Sequence, residues 1–241
     1  NIAGIESRFP GILGTAVVKV FNLNVGRTGL TEKQAREDGF DPVCSLAPGF
    51  DKAHYYPGSV MVAIKMVADR KTQRILGLQA FGSGEIARRV DVAVAAISMK
   101  ATVADLASFD LGYAPPFSQA VDAILTAANV VDNKIKGVAH SIMPQEVKQM
   151  IEDEEDFVLL DVRSPREFEI GHIDASQTIN LPIELLRSEA GKLPLDTRII
   201  TLCKISQRGY EAHKILAEMG FKDVAFMDGG MFTWPYPDDV I

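Results

Sequence analysis

The chain has 241 residues, 47% of them hydrophobic and 24% charged, with a formal net charge of −7. At roughly 100–200 residues per domain this length makes one large or two ordinary domains, and the acidic balance excludes a nucleic-acid surface, which needs a basic patch. No apolar run approaches the ~20 residues of a membrane span, no signal peptide is recognisable, and two cysteines far apart in sequence make neither a disulfide framework nor a zinc site. No metal is expected, and the cytosol is the expected compartment. The first residue is Asn1, in sequence of mid-protein character, so a fragment or a processed chain is expected.

Gly14 to Asn24 alternates in strand fashion, with Ala16, Val18, Val20 and Leu23 mixed among Lys19 and Asn22. Thr31 with Gln34 three residues on reads as a capping box for a short helix that Gly39 ends. Pro42 to Leu46 is expected as a second strand and Ser59 to Ala68 as a third. A polar turn at 69–73 then returns the chain as a hairpin partner, Arg74 to Phe81. Gly82-Ser-Gly84 lacks the third glycine and the following acid of a dinucleotide fingerprint and reads as a turn before a helix over 85–99. Thr102 and Asp105 signal another helix start, Asp110-Leu-Gly-Tyr-Ala-Pro-Pro-Phe117 is a rigid loop, and Ser118 is expected to cap a helix through Val131. The first unit is therefore α+β with an antiparallel sheet.

A polar bridge at 130–140 separates this pattern from a different one, and the division is set at 1–136 and 137–241. Beyond it, short apolar runs at 157–161, 177–180, 198–202 and 224–227 alternate with helical stretches at 144–152, 165–170, 183–187 and 207–219. This is the rhythm of a small α/β domain with a parallel sheet. Its ligand crevice is expected beyond the carboxyl ends of the strands. Cys203 directly follows one such end and precedes a helix whose free amides point back at it, a setting that favours a thiolate and cradles an anion. Arg208 closes the loop with a permanent positive charge.

Four markers occur in order here. They are Leu160-Asp-Val-Arg-Ser-Pro-Arg-Glu-Phe168, Gly171-His-Ile173, the loop from Cys203 to Arg208, and Asp228-Gly-Gly-Met-Phe-Thr-Trp234. Together they make the second unit resemble a rhodanese. The resemblance implies that Cys203 is a nucleophile carrying sulfane sulfur as a persulfide, held by Lys204, Ile205, Ser206, Gln207 and Gly209 and by Arg208. Persulfide, polysulfide or thiosulfate is the implied donor. Four residues between Cys203 and Arg208 match the sulfurtransferase loop, whereas related arsenate reductases and cell-division phosphatases carry one more. Ser206 and Gln207 stand where many rhodaneses have Arg and Gly. His172, Asp161, Arg163 and Trp234 are expected in structural roles. A non-catalytic docking module and a phosphatase- or arsenate-reductase-like enzyme are the alternatives.

With Gly14-Thr-Ala-Val-Val-Lys-Val-Phe21, His54-Tyr-Tyr-Pro57, Arg88-Arg-Val-Asp91 and Phe109 to Ser118, the first unit is similar to the dimerisation domain of pyridine nucleotide-disulfide oxidoreductases. The likeness is to the coenzyme A-disulfide reductase and NADH oxidase branch. The resemblance implies a homodimer in which Tyr113, and Tyr55 or Tyr56, serve the partner's reductase site. It also implies FAD, NAD(P)H and coenzyme A for a full-length enzyme, with none of them bound by this chain alone. Cys44 is expected to be a buried structural thiol.

Overall fold

The computed structural model describes residues 3–241. A five-stranded antiparallel sheet organises the first part and a five-stranded parallel sheet the second. The first sheet has the order β1-β2-β5-β4-β3, from β1 (Ala16–Val20), β2 (Leu23–Gly29), β3 (Pro42–Phe50), β4 (Met61–Asp69) and β5 (Ile75–Gly82). Strand periodicity turns Val62, Ile64 and Met66 of β4 inward. They meet α2 (Ala87–Ser98), α3 (Val103–Ala107) and α4 (Ala123–Ile135) through Val90, Leu106 and Ile124. Each such fully buried aliphatic side chain contributes about 1.5–3 kcal/mol. The capping boxes at Thr31, for α1 (Glu32–Glu37), and at Thr102, for α3, both form.

Two expectations change. The stretch read as one strand over 14–24 is a hairpin, because Phe21 takes a positive φ of 53° and reverses the chain into β2. Ser118 does not cap a helix: Asp122 does, accepting from the Ile124 amide, and the Ser118 hydroxyl donates to the Asp122 carboxylate. The helix therefore starts later and runs to Ile135, through what reads as a polar bridge.

The second sheet has the order β6-β10-β9-β7-β8, all parallel, from β6 (Ser141–Ile142), β7 (Phe157–Asp161), β8 (Thr178–Asn180), β9 (Arg198–Leu202) and β10 (Val224–Met227). Its central strands are buried on both faces. Phe157 and Leu159 turn to α5 (Pro144–Glu152) and Trp234, and Val158 and Leu160 turn to α7 (Ile183–Glu189) and α8 (Gln207–Glu218). From β7 the chain moves one way to β8, and from β9 it moves the other way to β10. The helices that follow β7 and β9, α6 (Pro165–Ile170) and α8, therefore begin side by side at the point where strand order reverses. Parallel sheets place ligands at such a point. Among the described residues, no helix is long and apolar enough to cross a membrane.

Candidate functional site

The residues from Cys203 to Arg208 fill that switch point. Thr201 on β9 donates through Oγ1 to the Gly209 carbonyl at 2.7 Å, pinning the first turn of α8 onto the strand it leaves. Ser206 adopts the left-handed conformation at φ 73° and makes no side-chain cap hydrogen bond. The leading amides of this 12-residue helix are thereby left without a side-chain cap, where the helix dipole favours an anion. Cys203 is 1% exposed and packs in the core cluster of Val158, Leu160, Leu186, Ala212 and Leu216. Lys204 and Gln207 are exposed, and Ile205 and Ser206 are half-buried. Gln207 reaches Glu211 one turn along, and Gly209 is buried against β9. Structure brings Cys203 to Gly209 together as one loop and helix start.

Arg208 does not stand alone. Its two terminal nitrogens donate to both oxygens of Glu167, at 2.8 and 2.7 Å, a bidentate pair. Glu167 is at the same time the third residue of α6 in a capping box with Ser164. Glu167 is a site residue that the sequence alone does not mark. The available signal was its Ser-Pro-x-Glu capping pattern, but its partner lies 41 residues away. The Arg208 guanidinium holds the Glu167 carboxyl down at about 2, and Arg208 itself is raised, chiefly by Glu167 and also by Cys203 and Glu184.

A pH dependence follows. The folded value of Glu167 is depressed below its ordinary ~4.3. The pair therefore stabilises the fold in full above that value, and the contribution is lost as pH falls toward about 2. Both side chains stay about a third exposed, which screens the contribution to about 1 kcal/mol. Glu167→Gln is expected to cost that amount at pH 7, and the gap to the parent should be clearly smaller at pH 3. Urea titrations at the two pH values check this, and a pH-independent gap counts against the pair.

The flanking markers take supporting positions. Asp161 and Arg163 form a buried ion pair, Nε lying 2.9 Å from both carboxylate oxygens, and Arg163 also donates to the Gly171 carbonyl. His172 stacks on Phe168 with ring centroids 3.7 Å apart, and its backbone pairs with Ile241. Trp234 belongs to the core beside α5. Cys44 is buried on β3, where burial first and Glu32 second push its thiol up to about 12. It is a structural thiol, as expected.

The tyrosines form a second constellation on loops of the first domain. Tyr55 lies on the 51–59 loop and Tyr113 on the 110–118 loop, and the loops are joined by an Ala53 amide to Pro115 carbonyl bond of 3.2 Å. The Tyr113 phenol is raised above its ordinary value, by desolvation first and by Tyr55 second. Both are exposed, at 67% and 52%, and Tyr56 is at 37%. Between the two domains lies a cavity of about 280 Å³. Leu46, Pro48 and Val130 line it from one side, and Ile205 and Tyr210 from the other. The glycines of Gly82-Ser-Gly84 do not fit a dinucleotide cradle. Gly82 ends β5 of an antiparallel sheet, and a Cβ on Gly84 would lie 2.5 Å from the Asp51 side chain, so the space is already filled. Among the described residues no group of three or more His, Cys, Asp or Glu is placed to hold a metal ion.

Comparison with known proteins agrees with this architecture. Residues 15–124 match the pyridine nucleotide-disulphide oxidoreductase dimerisation domain, and residues 143–235 match the rhodanese-like domain. The chain is 44% identical over 131 residues to an NAD(P)H sulfur oxidoreductase (CoA-dependent) of Pyrococcus furiosus, a match covering 54% of this chain and 29% of that one. It superposes on an NAD-dependent persulfide reductase from A. fulgidus with TM-score 0.87 and 38% identity, over 97% of this chain and 41% of the other. It also superposes on reduced CoADR-RHD of Bacillus anthracis with TM-score 0.90 and 32% identity, over 99% of this chain and 42% of the other. The chain thus spans well under half the length of these relatives. It consists of a pyridine nucleotide-disulphide oxidoreductase dimerisation domain followed by a rhodanese-like domain.

Proposed function

We propose that this chain is the C-terminal part of a cytoplasmic, FAD- and NAD(P)H-dependent reductase of coenzyme A disulfide, persulfide or polysulfide, in which Cys203 carries sulfane sulfur. Residues 1–136 are the dimerising unit and 137–241 the sulfur-handling unit. The observation that carries the reading is the loop itself. It sets a cysteine at a parallel-sheet switch point, an uncapped 12-residue helix N-terminus around it, and an Arg208 fixed by Glu167 at its rim. The superposition along nearly the whole chain on a persulfide reductase supports it further.

The chemistry is a double displacement. The Cys203 thiolate attacks the outer sulfur of R–S–SH, the donor's S–S bond breaks, and R–S⁻ leaves with the bonding pair. The enzyme is left as Cys203–S–SH. An acceptor thiolate then attacks that outer sulfur, forms a new persulfide, and releases the Cys203 thiolate. No net oxidation occurs, and no proton beyond the one on the transferred sulfur is needed. Loop amides and Arg208 stabilise the anionic sulfur at each stage. Lys204, Ile205, Ser206, Gln207 and Gly209 shape the site through backbone and loop geometry.

A homodimer is part of the reading. Val17, Val18, Val20, Phe21, Leu23 and Val25 of the β1–β2 hairpin are exposed together, and a patch of this kind marks a surface that meets another polypeptide. Tyr55, Tyr56 and Tyr113 would face the partner's reductase site.

Treatment with polysulfide is expected to add one sulfur atom to the peptide containing Cys203, and a reducing thiol should remove it, as seen by peptide mass spectrometry. A Cys203 peptide that stays unmodified while small-molecule thiols in the same tube are persulfidated overturns the reading.

A further inference from the structure

Lys134 lies in the last turn of α4, at the end of the first domain, and Asp228 directly follows β10 in the second. The Lys134 ammonium pairs with Asp228 Oδ2 and donates as well to the Cys44 carbonyl on β3. Asp228 is 1% exposed, and burial raises its carboxyl while Lys134 opposes that rise. The turn that Asp228 opens is built to touch the cysteine loop. Gly229 and Gly230 both have positive φ, 76° and 58°, and a Cβ on Gly230 would stand 2.3 Å from the Cys203 carbonyl oxygen. The Met231 amide donates to the Cys203 carbonyl at 2.9 Å, the Phe232 amide to the Lys204 carbonyl at 3.0 Å, and Ser206 Oγ to the Met227 carbonyl at 3.3 Å. Residues on both sides of Asp228 thus grip three positions of the loop.

We propose that Lys134 is a positioning residue for Cys203: by neutralising Asp228 across the domain seam it fixes the Gly229–Gly230 turn, and with it the backbone of the loop that carries Cys203. The inference rests on Cys203 being the nucleophile and adds that the first domain sets its reactivity. It assigns a role in the sulfur site to a residue that neither touches sulfur nor lies in the rhodanese-like domain.

The test uses the whole chain and needs no sulfur donor. The rate of Cys203 alkylation by iodoacetamide is followed by peptide mass spectrometry, beside the thermal midpoint, in Lys134→Met, Lys134→Arg and Lys134→Met/Asp228→Asn. Lys134→Met keeps the stem and removes the charge, and should slow alkylation about tenfold, since sub-ångström misplacement in a site has effects of this order. Lys134→Arg should keep at least about half of the parent rate, because the charge that Asp228 needs is retained. The double variant should recover most of the rate, because no buried charge is left unpaired.

A Lys134→Met protein that alkylates at the parent rate, whatever its midpoint, overturns the proposal. A double variant as slow as Lys134→Met also overturns it, since packing of the stem would then be the cause. Should Lys134→Met fail to fold, Asp228→Asn alone carries the comparison: a slowed rate supports the pair and an unchanged rate overturns it. Alkylation that depends on Lys134 in a chain that never accepts sulfur would refute sulfur carriage and leave this inference standing.

Discussion

Cys203→Ser is expected to bring sulfur transfer from thiosulfate or polysulfide to cyanide down to the uncatalysed background, a fall of at least about a thousandfold. A serine hydroxyl in the same enclosed loop is neither ionised near neutral pH nor able to hold a sulfane sulfur, so both half-reactions are lost at once. The second cysteine offers no bypass, because the Cys44 thiol is buried and pushed up to about 12, leaving it protonated throughout the assay range. Folding is not the reason for the loss, since the substitution exchanges one small atom at a position whose carbonyl is held by the Met231 amide. A circular dichroism melt of the variant should match the parent within a few degrees. Equal transfer rates in parent and variant would turn the loop into a docking surface. Appreciable turnover of an aryl phosphate would instead indicate oxyanion chemistry on the same frame.

Transfer also depends on how the loop's positive rim is held. An exposed arginine at the end of a flexible side chain would swing through many rotamers and fix little. Here the fork is locked by two parallel hydrogen bonds to Glu167, so the charge is presented in one place. Glu167 belongs to the motif that follows β7, and Arg208 to the helix that follows β9. That is the physical reason the two motifs occur together: they start neighbouring helices at one switch point, and the carboxylate that caps one helix anchors the cation of the other.

Much of this frame was legible along the chain because the deciding interactions are local. The elements at 144–152, 157–161, 165–170, 198–202 and 224–227 coincide with their expected bounds. Each is announced by a cap, a proline at a helix start, or a continuous apolar run, and all of these act within a few residues. What the chain did not announce depends on contacts far apart in sequence. Ser118 and Asp122 are both good capping residues, and only Arg88 and Arg89, on a helix some thirty positions earlier, select Asp122. The two residues of β6 have no strand character by themselves and exist because β10 pairs with them. The hairpin at Phe21 has none of the glycine or asparagine pairs that normally mark a tight reversal. Glu167 and Lys134 read as ordinary surface charges until the fold brings partners from 41 and 94 residues away.

The largest effect on the first domain is expected from Arg89→Met. Arg89 is 1% exposed and sits at the centre of a framework that joins the two tyrosine loops to the helices beneath them. Its Nε and one terminal nitrogen lie 2.9 Å from the two oxygens of Asp122, and the same terminal nitrogen donates to the Asp51 carbonyl at 2.7 Å. Asp122 caps α4 and takes the Ser118 hydroxyl at the end of the Tyr113 loop, while Asp51 opens the loop of Tyr55. Burial alone would raise the Asp122 carboxyl, but Arg89 and the capping bonds outweigh it and hold it below its usual range, so the carboxylate is charged and needs a cation. Breaking one side of a buried pair costs about 3–5 kcal/mol. Arg88 still reaches Asp122 at 3.0 Å, which places the cost near about 3 kcal/mol. Arg89→Met/Asp122→Asn should regain part of that, because no buried charge is then stranded. The two domains can be read separately: the single tryptophan, Trp234, lies in the second domain, whereas circular dichroism sees both. In urea, Arg89→Met should therefore lower the first-domain transition seen by circular dichroism and leave the Trp234 midpoint nearly unmoved. A shift under about 1 kcal/mol would mean that Arg88 and Ser118 suffice to hold Asp122. Equal shifts in both signals would mean that the seam at Lys134 and Asp228 makes the two domains unfold as one.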